Sequence, residues 1–209
     1  MAEVITTAPK SKEAEIKLLI MPLGELASHL GDDEASTAIK AIANFVNHRS
    51  PGDKQMLSVS NADIAGKYTD FVALRLPEAE VAIDASFITN NVVGYVGAMK
   101  PIKHDTRLMS EVGSLKVDDS LRGHGVGTIL FEKIIQAMQD EGITPYAFCN
   151  SDSLPIAKRL GGREIESADE VPREALELCQ DCPLYGRTGG KKYSCCDTVV
   201  VWDTPTETN

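Results

Sequence analysis

The sequence predicts a mixed α/β fold of the α+β type, on three observations. A β-type run at Leu115, Lys116 and Val117 feeds a glycine-rich turn that opens directly into an amphipathic helix. Residues 145–149 then read as a short buried strand followed by a second helical stretch over residues 153–160. Upstream, residues 92–99 and 108–117 read as two strands joined by a turn over residues 101–106. Strands and helices therefore alternate after the turn, while a hairpin precedes it.

The turn, Asp118-Asp119-Ser120-Leu121-Arg122-Gly123-His124-Gly125, predicts an anion site. Glycines allow torsions and close approach that a Cβ would obstruct, and the first N–H groups of a helix point outward as donors. A phosphate or pyrophosphate suits such a place. Two familiar phosphate loops fail against these letters. Gly127 is followed by Thr128 and Ile129 where a P-loop needs Lys and then Ser or Thr, and the G-x-G-x-x-G dinucleotide pattern is absent. What stands is R-x-x-G-x-G, at Arg122, Gly125 and Gly127. Val126, Ile129, Leu130, Ile134, Ile135 and Met138 recur at helical spacing, which predicts a helix over residues 125–140 closed by Glu141-Gly142.

This loop resembles the coenzyme A loop of the GNAT superfamily, the Gcn5-related N-acetyltransferases. The resemblance implies a central, mostly antiparallel twisted sheet flanked by helices. It also implies acetyl-CoA as co-substrate, with Arg122, Gly123, His124, Gly125, Val126, Gly127 and Thr128 at the pyrophosphate, and Leu115, Lys116 and Val117 along the pantetheine. His124 is expected to be solvated, with its backbone N–H doing the binding. Glu111, six residues before Val117, falls at the family position of the general base; the plain alternative is a solvated strand residue. Asn150 matches the family Asn that lies near the cofactor or a water beside it. Leu160-Gly161 matches as well, but Ala157 stands where the family often carries the Tyr that protonates the departing thiolate.

Composition and charge limit the partners. The chain has 209 residues, 43% hydrophobic and 25% charged, enough for one well-buried domain or a domain with a small appendage. Its formal net charge is −10. Residues 37–160 hold 14 acidic and 13 basic residues, residues 1–36 hold 7 and 3, and residues 161–209 hold 10 and 5, so the charge lies at the ends. That argues against direct nucleic-acid binding and favours a cationic acceptor or a basic protein surface, unless the charge only maintains solubility. Neither a membrane span nor the apolar core of a signal peptide is apparent, so the cytoplasm is the expected location.

Residues 16–21 read as a first strand, residues 25–30 as a short helix, and residues 34–48 as a clearer helix with Ala35, Ile39, Ile42, Ala43 and Val46 on its apolar face. Residues 57–88 hold Phe71 to Leu74 and Val81 to Ile83 among polar residues, room for another strand and variable loops. His29, His48 and His104 have no clustered partner in sequence and are expected at the surface or in turns.

Near the C-terminus, Cys179 and Cys182 are followed after twelve residues by Cys195 and Cys196. The spacing suggests a thiolate zinc site, although adjacent cysteines in a strand point to opposite faces, so a three-Cys site or a free-thiol cluster competes. Cys149 is expected to be a small buried hydrophobe. Residues 170–178 read as a helix and residues 198–202 as a strong closing strand. With Ala157 at the acid position, Tyr185 or Tyr193 is a candidate to reach the leaving group.

The expected organisation is a core over residues 1–166, with the family motifs in 92–166, completed by residues 167–209 with a Cys-rich loop over 179–196. The expected activity is transfer of an acetyl group from acetyl-CoA to a primary amine, a small amine or a protein Lys or N-terminus, by direct attack in a ternary complex. The alternatives are a catalytically inactive relative that uses its acidic ends and Cys-rich loop for docking, and a small zinc-dependent interaction protein.

Overall fold

The computed structural model describes residues 2–7, 15–48, 58–180 and 198–203. Along them run β1 (Glu3–Thr7), β2 (Ile16–Pro22), α1 (Leu23–Ser28), α2 (Asp32–Asn47), α3 (Asn61–Ala65), β3 (Thr69–Arg75), α4 (Ala85–Asn91), β4 (Val92–Ala98), β5 (Ile102–His104), β6 (Arg107–Val117), α5 (Val126–Asp140), β7 (Ile143–Cys149), α6 (Leu154–Arg159), β8 (Arg163–Glu164), α7 (Arg173–Gln180) and β9 (Thr198–Val201). They form two compact units: Met1–Gly97 with Ser114–Leu130, and Ala98–Gly113 with Phe131–Asn209.

In the first unit β1, β2, β3 and β4 lie side by side, with β1–β2 and β2–β3 antiparallel in the registers Ile5↔Leu18 and Ile20↔Ala73. Period-2 alternation sends Leu19, Met21, Val72, Leu74 and Tyr95 into one core with Leu26, Ile42, Val46, Ile64 and Ile88. Helix α2 carries Asp32, Asp33 and Glu34 in its first turn, where carboxylates complement the helix dipole. Ser60 and Asp63 form a reciprocal capping box on α3, and the Asp84 side chain accepts from Phe87 N at 2.7 Å to start α4. Gly94 is dictated by packing, because a Cβ there would lie 2.8 Å from Leu130 Cδ1 and 3.1 Å from Ala73 Cβ.

In the second unit β6 pairs with β7 in parallel, β7 with β9 and β9 with β8 antiparallel, and β5 with the start of β6 antiparallel. One face packs Met109, Tyr146, Val199 and Val201 against Val171 and Ala175 of the segment leading through α7. Trp202 closes this unit. Its N–H donates to Pro145 O at 3.0 Å, its indole Nε1 donates to Leu160 O at 3.1 Å, and its ring meets Phe131 edge-on with centroids 5.4 Å apart. Gly162 makes room for it, since a Cβ there would lie 2.8 Å from the indole. Arg163 joins Asp203 at 2.8 Å and Glu170 at 2.6 Å.

The strand at 16–21 extends to Pro22, and the helices expected over 34–48, 125–140 and 153–160 stand within one or two residues of their expected ends. Elements outside the expectation are β1, β5 and β8, together with α3 and α4 in the middle region. Residues 81–83 belong to neither helix nor strand and lead to the Asp84 cap.

Candidate functional site

In the first unit, β6 ends at Val117 and a 3-10 turn, Asp119–Leu121, follows. Asp118 fixes this turn by accepting from Ser120 N at 2.9 Å and from Ser120 Oγ. Arg122 Nε pairs with Asp119 Oδ1 at 2.8 Å in an exposed ion pair, which does more for loop conformation than for stability. Gly123 and Gly125 then take φ of 80° and 84°, the left-handed region that glycine enters without strain. His124 N donates to Leu121 O at 3.2 Å, and its Nδ1 donates to Arg122 O at 3.2 Å, so the imidazole is half-buried against its own loop instead of fully solvated.

The first helical hydrogen bond of α5 runs from Ile129 N to Gly125 O at 3.0 Å. The N–H groups of Val126, Gly127 and Thr128 therefore precede any intrahelical acceptor, at the positive end of a 15-residue helix. A Cβ on Gly125 would meet nothing within 4 Å, so torsion demands the glycine and the space over it is open. Left-handed glycines followed by helical N–H groups make a concave donor surface that suits a pyrophosphate.

Strand β6 approaches this loop through Ser114, a non-glycine residue at φ 57°, whose torsion interrupts the regular pleat. Leu115 and Val117 are half-buried, whereas Lys116 between them is 6% exposed. The Lys116 side chain lines a cleft of about 460 Å³ with Ala41, Asn44, Phe45 and His48 of α2, Thr89 of α4, Val92, Asp118 and Asp119.

The second unit holds Glu111, half-buried on β6 and opposite Tyr146 of β7. The β6–β7 register ends at this pair, although β6 continues to Val117. Glu111 O accepts from Met99 N at 2.9 Å. Burial first, and then the charges of Glu111 and Glu174, hold the Tyr146 phenol well above its usual range. The Tyr146 phenol therefore keeps its proton at neutral pH under the influence of two carboxylates.

Asn150 has a structural task of its own. Its side-chain oxygen accepts from Asp152 N at 2.9 Å and Ser153 N at 3.0 Å, and its carbonyl receives Leu154 N at 3.0 Å, so it starts α6. Cys149 is fully buried and burial pushes its thiol up to about 11, so it is no nucleophile at neutral pH. Ala157 is fully buried, its carbonyl accepts from Gly162 N at 3.0 Å, and no hydroxyl stands at its position. His29 and His48 are exposed, but His104 is tied to Asp169 O at 2.8 Å.

Residues 115–117 and 122–128 therefore come together in the first unit, while Glu111 and Asn150 lie in the second. The side chain of Cys179, together with Cys182, Cys195, Cys196, Tyr185 and Tyr193, lies outside the described residues. Among the described residues no group of three His, Cys, Asp or Glu could hold a metal ion, and no helix is long and apolar enough to cross a membrane. Tyr146 and Glu174 were missed from sequence because Tyr146 sits inside an apolar run and Glu174 on an ordinary polar helix face; neither carries a motif.

Residues 59–161 match the model of the acetyltransferase (GNAT) family. The chain carries a GNAT-family acetyltransferase domain. An uncharacterized N-acetyltransferase of Chlorobaculum tepidum is 27% identical over 115 residues, covering 55% of this chain and 68% of that one. Among solved structures, N-acetylglutamate synthase from Neisseria gonorrhoeae, complexed with coenzyme A and L-arginine, superposes with a TM-score of 0.55 at 15% identity, over 90% of this chain and 34% of the larger one. A Trypanosoma brucei acetyltransferase gives a TM-score of 0.49 at 19% identity, over 72% of this chain and 95% of that one. The GNAT assignment makes this protein an acyltransferase with a mixed α/β fold, built on a mostly antiparallel sheet with flanking helices.

Proposed function

We propose that this GNAT domain transfers an acetyl group from acetyl-CoA to a primary amine, a small cationic amine or the Lys or N-terminus of a protein, by direct attack in a ternary complex. The observation that carries the reading is the loop at the start of α5. Gly123 and Gly125 in left-handed torsions precede three helical N–H groups without an intrahelical acceptor, in open space. Residues Arg122 to Thr128 hold the pyrophosphate by these main-chain donors, and the backbone of Leu115 to Val117, beyond the end of the β6–β7 register, follows the pantetheine arm.

Bound acetyl-CoA supplies a thioester carbonyl open to attack by a neutral amine. An amine is protonated near neutral pH, and in this reading Glu111 takes that proton, directly or through a water. The negative neighbourhood of Glu111 and Glu174 favours an ammonium-bearing acceptor before deprotonation. Asn150 acts beside the cofactor through its amide NH2, since its oxygen already caps α6. Positioning in the ternary complex carries much of the acceleration, which suits a site with Ala157 where a phenol would otherwise serve. Residues 1–166 form the catalytic core in this reading, and residues 167–209 complete it.

The test is calorimetric titration of the protein with acetyl-CoA and with CoA, followed by thiol-release assays over a panel of polyamines, amino sugars and Lys peptides. Saturable binding and turnover of an amine support the reading. Absence of acetyl-CoA binding overturns it, and binding without turnover of any amine points to a relative that kept the loop and lost catalysis.

A further inference from the structure

In the second unit, residues 99–111 run through β5 and the start of β6 to Glu111, and they expose three large apolar side chains: Met99 at 47%, Leu108 at 47% and Ile102 at 37%. Strand register sorts these by face. Met99 N donates to Glu111 O at 2.9 Å, which sets Met99 across the sheet from Glu111. Ile102 pairs with Met109, two residues before Glu111 on β6. Residues opposite each other, and residues two apart along a strand, present their side chains to the same face. Met99, Ile102, Met109 and Glu111 therefore share one face, while Lys103 and Leu108 pair on the other.

Met109 is fully buried in the core with Val171 and Ala175, so Met99 and Ile102 form an open apolar ledge beside Glu111. Its backbone is fixed at both ends. Ser110 Oγ donates to Met99 O at 2.5 Å, and His104 at the end of β5 is joined to Asp169 O at 2.8 Å. The unbranched thioether of Met99 adapts to whatever covers it. A hydrocarbon chain laid on the ledge shields both side chains from water, whereas an ammonium laid there is desolvated against a thioether and an aliphatic branch. From Glu111 to the Met109–Ile102 pair is two residues along β6, about 7 Å at the rise of a strand and roughly the length of a six-carbon chain.

We propose that Met99 and Ile102 are specificity-determining residues that direct this acyltransferase to small primary monoamines with an unbranched hydrocarbon arm, the nitrogen at Glu111 and the arm along the ledge. The inference deepens the transfer reading above and rests on it, because that reading brings the acceptor nitrogen to Glu111.

The test compares n-hexylamine with cadaverine, in which an ammonium replaces the terminal methyl at equal length. In the thiol-release assay kcat/KM should favour hexylamine by about tenfold or more, and Met99→Gln combined with Ile102→Thr should remove this preference through KM, with the melting temperature and the acetyl-CoA Kd preserved. A wild-type ratio near one, or a preference that survives both substitutions, overturns the ledge while the transfer reading stands. Binding is followed without turnover by NMR of isotope-labelled methionine methyl groups in the presence of CoA, the Met99 signal being assigned by its loss in Met99→Gln. Hexylamine should shift that signal saturably, and cadaverine should bind about tenfold more weakly. An unmoved Met99 signal overturns the ledge whatever happens to amine transfer. A saturable shift in a protein that acetylates no amine supports the ledge and sinks the transfer reading.

Discussion

The phenol of Tyr95 donates to Oδ2 of Asp70 across 2.9 Å, with Tyr95 fully buried and Asp70 8% exposed. Burial raises the Asp70 carboxyl to about 6 against the pull of Tyr95 and Lys67. The folded chain therefore holds this proton where the unfolded chain has lost it, and stability falls as pH rises from about 4 to about 6 and then levels. Asp70→Asn removes the titration while its amide oxygen keeps an acceptor for Tyr95. Denaturant unfolding at pH 4 and pH 7 should show the variant gaining about 2–3 kcal/mol relative to wild type between the two. Parallel pH profiles would refute this.

Gly125 and Gly142 make a matched pair for testing the loop. Both have positive φ, 84° and 71°, and a Cβ on either meets nothing within 4 Å. Replacement by Ala should cost each about 1–2 kcal/mol of stability through torsion alone. Only Gly125→Ala should weaken acetyl-CoA, by at least tenfold in calorimetry. An equal effect from Gly142→Ala would mean that affinity merely follows stability.

Glu111→Gln should lower kcat about 10²- to 10⁴-fold and leave the Kd of acetyl-CoA within twofold. The loss should narrow for acceptor amines of low pKa, which arrive already neutral. A uniform loss across amines would assign Glu111 to structure.

Gly162→Ala should destabilise the second unit by about 2–4 kcal/mol. The new methyl would lie 2.8 Å from the Trp202 ring and 2.9 Å from the Ala157 carbonyl, and would also press on Val200. A backbone carbonyl and a packed indole cannot yield as a flexible side chain does. A change in the denaturant midpoint of less than the equivalent of about 0.5 kcal/mol would contradict the packing described.

The parts that were legible in sequence are those in which local pattern and tertiary role coincide. Leu130, Ile134 and Met138 lie on one helical face and are all fully buried, so α5 could be read almost to its ends. The glycine loop could be read because positive φ selects for glycine at Gly123 and Gly125. Strand β1 could not, since its residues are mostly exposed at a sheet edge and Val4 is 60% exposed, leaving no apolar alternation to detect. Strand β8 is two residues long and exists through its pairing with β9. The Asp70–Tyr95 bond joins positions 25 apart, and nothing local to either foretells it. For Asn150 the motif located the residue, but only the structure revealed that its oxygen is engaged at the start of α6.

Trp202 is the single tryptophan of the chain and is 3% exposed. Its indole is a built-in optical reporter with a defined field of view, because every contact described for it belongs to the second unit. Emission should be blue-shifted in the native protein and move to longer wavelength as β9 separates from β7. Paired with circular dichroism, which registers the helices of both units, the emission trace would reveal whether the two melt together or in succession.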